Sequence, residues 1–178
     1  MSAKLLVLLA TLVSVNVSPQ VVAPDPVTTP ANQIVAPQSL RALALLNAKE
    51  VRQQAKRDKL KRVVQHLTTR VHKTSYVFSG STLSGWDCSG MVRYAYKRMG
   101  IVLPHSANKQ GHVGQRVSDP KVGDIVVFAH QGSTSFYHSA IYVGQGLIVN
   151  ANQLYKTTVI QPLSDFKNSQ IRFVRVIQ

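Results

Sequence analysis

The strongest constraint on this chain is a run of five β-rich segments joined by short turns in its C-terminal part. Gly123-Asp124 leads into the apolar run Ile125 to Phe128, which reads as a buried strand. A second strand spans His138 to Val143. Gly144 and Gly146 then mark a tight turn before Leu147 to Asn150. Tyr155 to Ile160 is rich in β-branched residues, and Ile171 to Val176 roughly alternates apolar with polar side chains. Upstream, Val92, Tyr94, Ala95, Tyr96 and Met99 form one helix that Gly100 stops. A helix followed by closely spaced strands predicts an α+β fold, with N-terminal helices packed on an antiparallel sheet of about five strands.

The chain has 178 residues, which suits one domain plus a tail. Residues 1–17 read as a signal peptide or N-terminal anchor. Lys4 precedes an apolar run from Leu5 to Val15 that has the length of a signal's hydrophobic region and is short for a membrane span. Residues 18–38 hold Pro19, Pro24, Pro26, Pro30 and Pro37. Each proline fixes φ and removes a backbone donor, so this stretch is expected to be an extended tether. Residues 39–73 form a basic helical segment. Ser39 suits a helix start, Leu40, Leu43 and Leu46 follow at helical spacing, and Asn47 to Lys59 is mostly polar. Leu60, Val63, Val64, Leu67 and Val71 then recur on one face. A compact domain is expected over 74–178, with its helical part from about residue 60.

Formal net charge is +14, and residues 39–73 supply +8 of it, from ten Lys or Arg against Glu50 and Asp58. Such a charge suits an anionic partner: nucleic acid, lipid headgroups or an acidic wall polymer. No Phe, Trp or Tyr falls between residues 39 and 75, which removes the platforms on which single-stranded bases stack. Nucleic acid is therefore not expected. Residues 41–73 are expected to dock on an anionic wall polymer or membrane surface.

Cys88 is the only cysteine, so the chain has no internal disulfide and no multi-cysteine zinc site. It stands in Gly85-Trp86-Asp87-Cys88-Ser89-Gly90, immediately before the helix. Free amides and the dipole at a helix N-terminus favour a thiolate and can hold a developing oxyanion. A thiolate nucleophile needs an imidazole within reach and a third group to hold that ring. There are six histidines: His66 and His72 in the basic segment, His105 and His112 in the loop after the helix, His130 ending one strand and His138 beginning the next. Asn150 lies twelve residues beyond His138, on the adjoining strand, and antiparallel pairing can set the two side by side.

Taken together, Tyr76-Val77-Phe78-Ser79-Gly80, Asp87-Cys88-Ser89-Gly90, Gly123-Asp124 and the string His138 to Gly144 resemble the NlpC-type cell-wall cysteine peptidases. The resemblance covers roughly residues 62–178. It implies a papain-like core with Cys88 as nucleophile, His138 as base and Asn150 as the residue orienting the imidazole. It also implies that Tyr76 lines the site and that Asp87 and Ser89 shape the substrate pocket. The implied reaction is hydrolysis of an amide bond in peptidoglycan stem peptides, either γ-D-glutamyl–diamino acid or D-Ala–diaminopimelate, through a thioester and with no metal or cofactor. Three positions depart from the family pattern. Ser79 replaces the first of two glycines, His105 follows Leu-Pro where arginine is common, and Ala107 stands where a serine is common; Ser106 beside it still offers a hydroxyl.

Two other readings share this fold: a noncatalytic wall-binding module, and a cysteine amidase or acyltransferase. The expected location is outside the cytoplasm, in the periplasm or cell envelope or secreted. A phage genome is as compatible with the sequence as a bacterial one.

Overall fold

The computed structural model describes residues 37–177. The expected signal or anchor, and all of the expected tether up to residue 36, lie outside the described residues.

The first element, α1, is one unbroken helix over Pro37–Thr68. It therefore starts inside the stretch expected as tether. Proline is compatible with this start, because a first-turn residue needs no amide hydrogen for the helix. Ser39 lies within the helix rather than ahead of it. The polar stretch from Asn47 to Lys59 is helical as well, so α1 joins the two apolar-periodic segments. Only its C-terminal part enters the core: Leu60, Val63, Val64 and Leu67 are buried, whereas Leu40, Leu43 and Leu46 are each more than half exposed.

A small hairpin follows, with β1 at Ser81–Thr82 paired to β2 at Gly85–Trp86. It leads into α2, Cys88–Lys97, and Gly100 takes a positive φ just beyond the helix. The short helix α3, Ala107–Gln110, precedes the main sheet. The sheet strands are β3 Gln115–Val117, β4 Ile125–His130, β5 Phe136–Gly144, β6 Leu147–Asn152, β7 Thr157–Pro162 and β8 Ser169–Arg175. Their spatial order is β3-β8-β4-β5-β6-β7, and every pairing is antiparallel.

The sheet thus has six strands, not about five. The additional strand is β3, three residues of sequence Gln-Arg-Val at the sheet edge beside β8. Three largely exposed residues carry no apolar alternation, so nothing local marks them as a strand. They become one only because β8 offers a free edge.

Two apolar layers cover the sheet. On one face, Ile125, Val127, Ile141 and Val149 meet Met91, Val92, Ala95 and Tyr96 of α2 and the buried end of α1. On the other face, Val126, Phe128, Ala140 and Ile148 pack with Phe166 and Phe173. Phe166 comes from a 3-10 turn, Leu163–Phe166, between β7 and β8. The Gly123-Asp124 pair ties the layers together. The hydroxyl of Tyr96 donates to the Gly123 carbonyl at 2.8 Å, and Arg175 grips the Asp124 carboxylate with two bonds of 3.1 and 2.7 Å. Among the described residues, no helix is long and apolar enough to cross a membrane.

Candidate active site

Asp87 sets the start of α2. Its backbone is extended and its Oδ1 accepts the Gly90 N–H at 2.6 Å, which caps the helix. The same oxygen accepts from the Ser89 hydroxyl and lies 3.0 Å from His105 Nε2; Oδ2 accepts the Ser79 N–H at 3.0 Å. The carboxylate is thus fully engaged inside the protein. Gly90 is required by contact: a Cβ there would lie 1.8 Å from the Gly80 carbonyl oxygen and 2.9 Å from His105 Nε2. Gln110, fully buried, donates to the Ser89 and Pro104 carbonyls and ties α3 to the first turn of α2.

Cys88 is consequently the first residue of α2, half-buried in the lining of a cleft of about 530 Å³. The cleft is lined by Tyr76, Cys88, Tyr137, His138, Asn152, Gln153, Leu154, Lys156 and Phe166. His138 comes from β5, opposite the register shift that follows Phe128 in β4. Its Nε2 lies 3.2 Å from Asn150 Oδ1 on β6. The ring stacks on Phe166, with 5.9 Å between centroids and 11° between planes, and Phe128 is 5.6 Å away. Asn150 is fully buried and donates through Nδ2 to Gln161 Oε1 on β7 at 3.0 Å.

Burial disfavours the charged form of both Cys88 and His138. Burial is the largest influence on Cys88 and pushes its thiol above the ordinary range, and the Asp87 carboxylate adds to this. The main chains of Ser139 and Ser89 and the Ser139 hydroxyl oppose the shift. That hydroxyl is completely buried. Burial also lowers His138 to about 4, against the opposing hydrogen bond from Asn150. At neutral pH the pair therefore rests as thiol and neutral imidazole. Desolvation here opposes the donors at the helix start.

The expected site residues divide in two. Cys88, His138 and Tyr76 line one cleft, with Asn150 behind the imidazole. Asp87, Ser89 and Ser106 do not line it. Asp87 and Ser89 are buried in the cap of α2, and Ser106 caps α3 by accepting from Lys109 N–H. Sequence reasoning missed Tyr137, Phe166, Gln161, Ser139 and the turn after β6. Only Ser139 and Tyr137 adjoin a flagged residue; the others arrive through strand order and the 3-10 turn. Among the described residues, no group of three His, Cys, Asp or Glu side chains is arranged to hold a metal ion.

The fold and this cleft combine a helix-borne cysteine and a sheet-borne histidine in one lining, with an asparagine bonded to the histidine. Residues 73–176 match the NlpC/P60 family, and the chain belongs to it. It is 40% identical over 92 residues to a probable endopeptidase of Mycobacterium tuberculosis, a match that covers 51% of this chain and 23% of that protein. It is 34% identical over 92 residues to the gamma-D-glutamyl-L-lysine dipeptidyl-peptidase of Bacillus cereus, over 50% of this chain and 28% of that protein. The chain thus spans about a quarter of the length of these curated relatives. A crystal structure of an NlpC/P60 family protein from Bacillus cereus superposes with a TM-score of 0.60 at 26% identity, covering 65% of this chain and 39% of that one.

Proposed function

We propose that this chain is an exported cysteine peptidase that hydrolyses an amide bond in peptidoglycan stem peptides. The target bond is γ-D-glutamyl–diamino acid or D-Ala–diaminopimelate. The observation that carries this reading is the 3.2 Å contact of His138 Nε2 with Asn150 Oδ1, beside Cys88 in one cleft. An amide oxygen only accepts, so Nε2 carries the proton and Nδ1 keeps its lone pair for a base's work. Family membership and the endopeptidase names of the relatives point the same way.

In the proposed mechanism His138 Nδ1 removes the thiol proton as Cys88 Sγ bonds to the amide carbonyl carbon. A neutral imidazole at rest suits that step, since a protonated one cannot accept. First-turn amides of α2, among them that of Cys88, have no preceding helical carbonyl to bond and can hold the oxyanion. The intermediate then collapses, the C–N bond breaks, and His138 gives its proton to the leaving amine. A water loses a proton to His138 and attacks the thioester. The C–S bond breaks and the sulfur recovers its proton. None of these steps draws on a metal or cofactor.

The proposed setting is the cell envelope or the secreted space. Eight Lys or Arg side chains on α1, all exposed, would hold the enzyme against an anionic wall polymer or membrane. The deciding experiment digests purified muropeptides with the wild-type chain and with Cys88→Ala, identifying products by mass spectrometry. Cleavage by the wild type alone, with both chains folded by circular dichroism, supports the reading. Equal cleavage by Cys88→Ala sinks it. A wild type that binds sacculi but cleaves nothing is instead a noncatalytic module.

A further inference from the structure

The turn between β6 and β7 closes one side of the cleft and contributes Gln153, Leu154 and Lys156 to its lining. Leu154 is 82% exposed, so the turn overhangs solvent rather than packing into the domain. The charge of the lining is one-sided. Among the described residues, no Asp or Glu lines the cleft, and Lys156 is its one permanently cationic side chain. Among the described residues Lys156 makes no ion pair, so its charge is uncommitted.

The backbone adds an independent observation. Lys156 has φ +58°, in the left-handed region where glycine or asparagine is the ordinary choice. The turn needs that conformation: the Lys156 carbonyl accepts the Tyr76 N–H at 2.9 Å, and Ser75 bridges Thr157. Nothing in the turn calls for a long cationic side chain at this strained position. A residue held against its own backbone preference at the rim of a reactive cleft points to a role for the side chain.

We infer that Lys156 is a specificity residue whose ammonium takes a free carboxylate of the peptide substrate beside the scissile amide. This rests on the peptidase reading of the site. The substrate chemistry supplies the group. A glutamyl residue linked through its γ-carbonyl necessarily leaves its α-carboxyl outside the bond, and a diamino acid acylated on one amine keeps its own carboxyl. Amidation of either removes the charge that Lys156 would read.

The test uses four matched muropeptides: glutamyl α-carboxylate or α-carboxamide, each combined with a free or amidated diamino-acid carboxyl. Wild type, Lys156→Gln and Lys156→Gly are compared on all four. The wild type is expected to show a KM about tenfold lower for the free carboxylate at one of the two positions, the size of one charge-assisted contact. Which position shows it identifies the group read. Both substitutions should erase that preference through KM, with kcat on the preferred peptide within about twofold. Lys156→Gly should melt at the same or a higher temperature, because glycine adopts this φ without strain. Equal KM values for all four peptides in the wild type, or a preference that survives in Lys156→Gln, overturns the inference. Calorimetric binding of the same peptides to Cys88→Ala reads the preference without turnover. Carboxylate recognition can therefore persist even where cleavage, and with it the peptidase reading, fails.

Discussion

Asn150 donates its Nδ2–H to Gln161 Oε1 over 3.0 Å, and this bond decides which end of the amide faces His138. Gln161 Oε1 also accepts from Asn152 Nδ2 at 2.9 Å, so it faces two donors and cannot turn its own amide nitrogen toward them. The oxygen of Asn150 is left for the imidazole, and the imidazole tautomer follows. Replacing Gln161 by Leu frees Asn150 to flip. Turnover of muropeptides should fall roughly tenfold in kcat, with KM within about twofold, as expected when a base loses its orientation. Unchanged kcat would show that the β7 contact is dispensable.

Phe166 is the ring that keeps water from one side of His138. Phe166→Ala opens the 3-10 turn next to the imidazole and weakens the desolvation that lowers it. In a histidine NMR titration, His138 should move from about 4 toward the ordinary value of 6.5. No movement would assign the burial to Phe128 instead.

The same burial makes stability depend on pH. His138 is neutral in the folded protein down to about 4, whereas an unfolded chain takes up the proton near 6.5. Its folded value is depressed, so the stabilisation is complete above 6.5 and is lost as pH falls through 4. The wild type should therefore lose roughly 2 kcal/mol more than His138→Gln between pH 7 and pH 4, discounted for the ring's partial exposure to the cleft. Chemical denaturation at several pH values measures this. Parallel curves for the two chains would contradict it.

Gly90 admits no side chain. Gly90→Ala places a methyl group against the Gly80 carbonyl oxygen and the His105 ring, contacts that backbone cannot yield cheaply. The expected loss is about 3 kcal/mol of stability, with the cap of α2 displaced and muropeptide cleavage abolished. Thermal denaturation checks the first outcome and the digestion assay the second.

The exposed cations of α1 make an ionic-strength prediction. Among the described residues, only Lys61 of its eight Lys and Arg side chains lies within 4.0 Å of a carboxylate, that of Asp58. Binding to isolated sacculi should weaken steeply as salt is raised from about 0.05 to 0.5 M, because exposed charge pairs are screened over a shrinking Debye length. Exchanging four of the α1 cations for Gln should flatten the dependence. Salt-insensitive binding would remove α1 from the interaction.

Much of the architecture was written in local pattern. Five of the six sheet strands follow from apolar runs and Gly-marked turns, and α2 from its apolar spacing and the Gly100 that stops it. The edge strand β3 was not, because three polar residues become a strand only where β8 leaves donors and acceptors free. α1 runs unbroken through Asn47 to Lys59, inside the segment expected to be helical, where propensity acts without a buried face, and it ends at Thr68, short of residue 73.

The candidate site divides along the same line. A cysteine before a helix and a histidine opening a strand are local facts, and so are the strings that resemble the family. Whether Asp87, Ser89 and Ser106 face substrate or cap helices is not local. The structure places Asp87 and Ser89 in the buried cap of α2, and Ser106 at the start of α3, where its oxygen accepts a first-turn amide. The order of residues along the chain was sufficient to nominate Cys88, His138 and Asn150 as candidates. Their state was set by tertiary packing alone: a sheet that joins Asn150 to Gln161, a ring from a distant turn that dries His138, and a β6–β7 turn that brings a lysine to the cleft. Desolvation and strand register depend on what lies across space, and no window of sequence contains that.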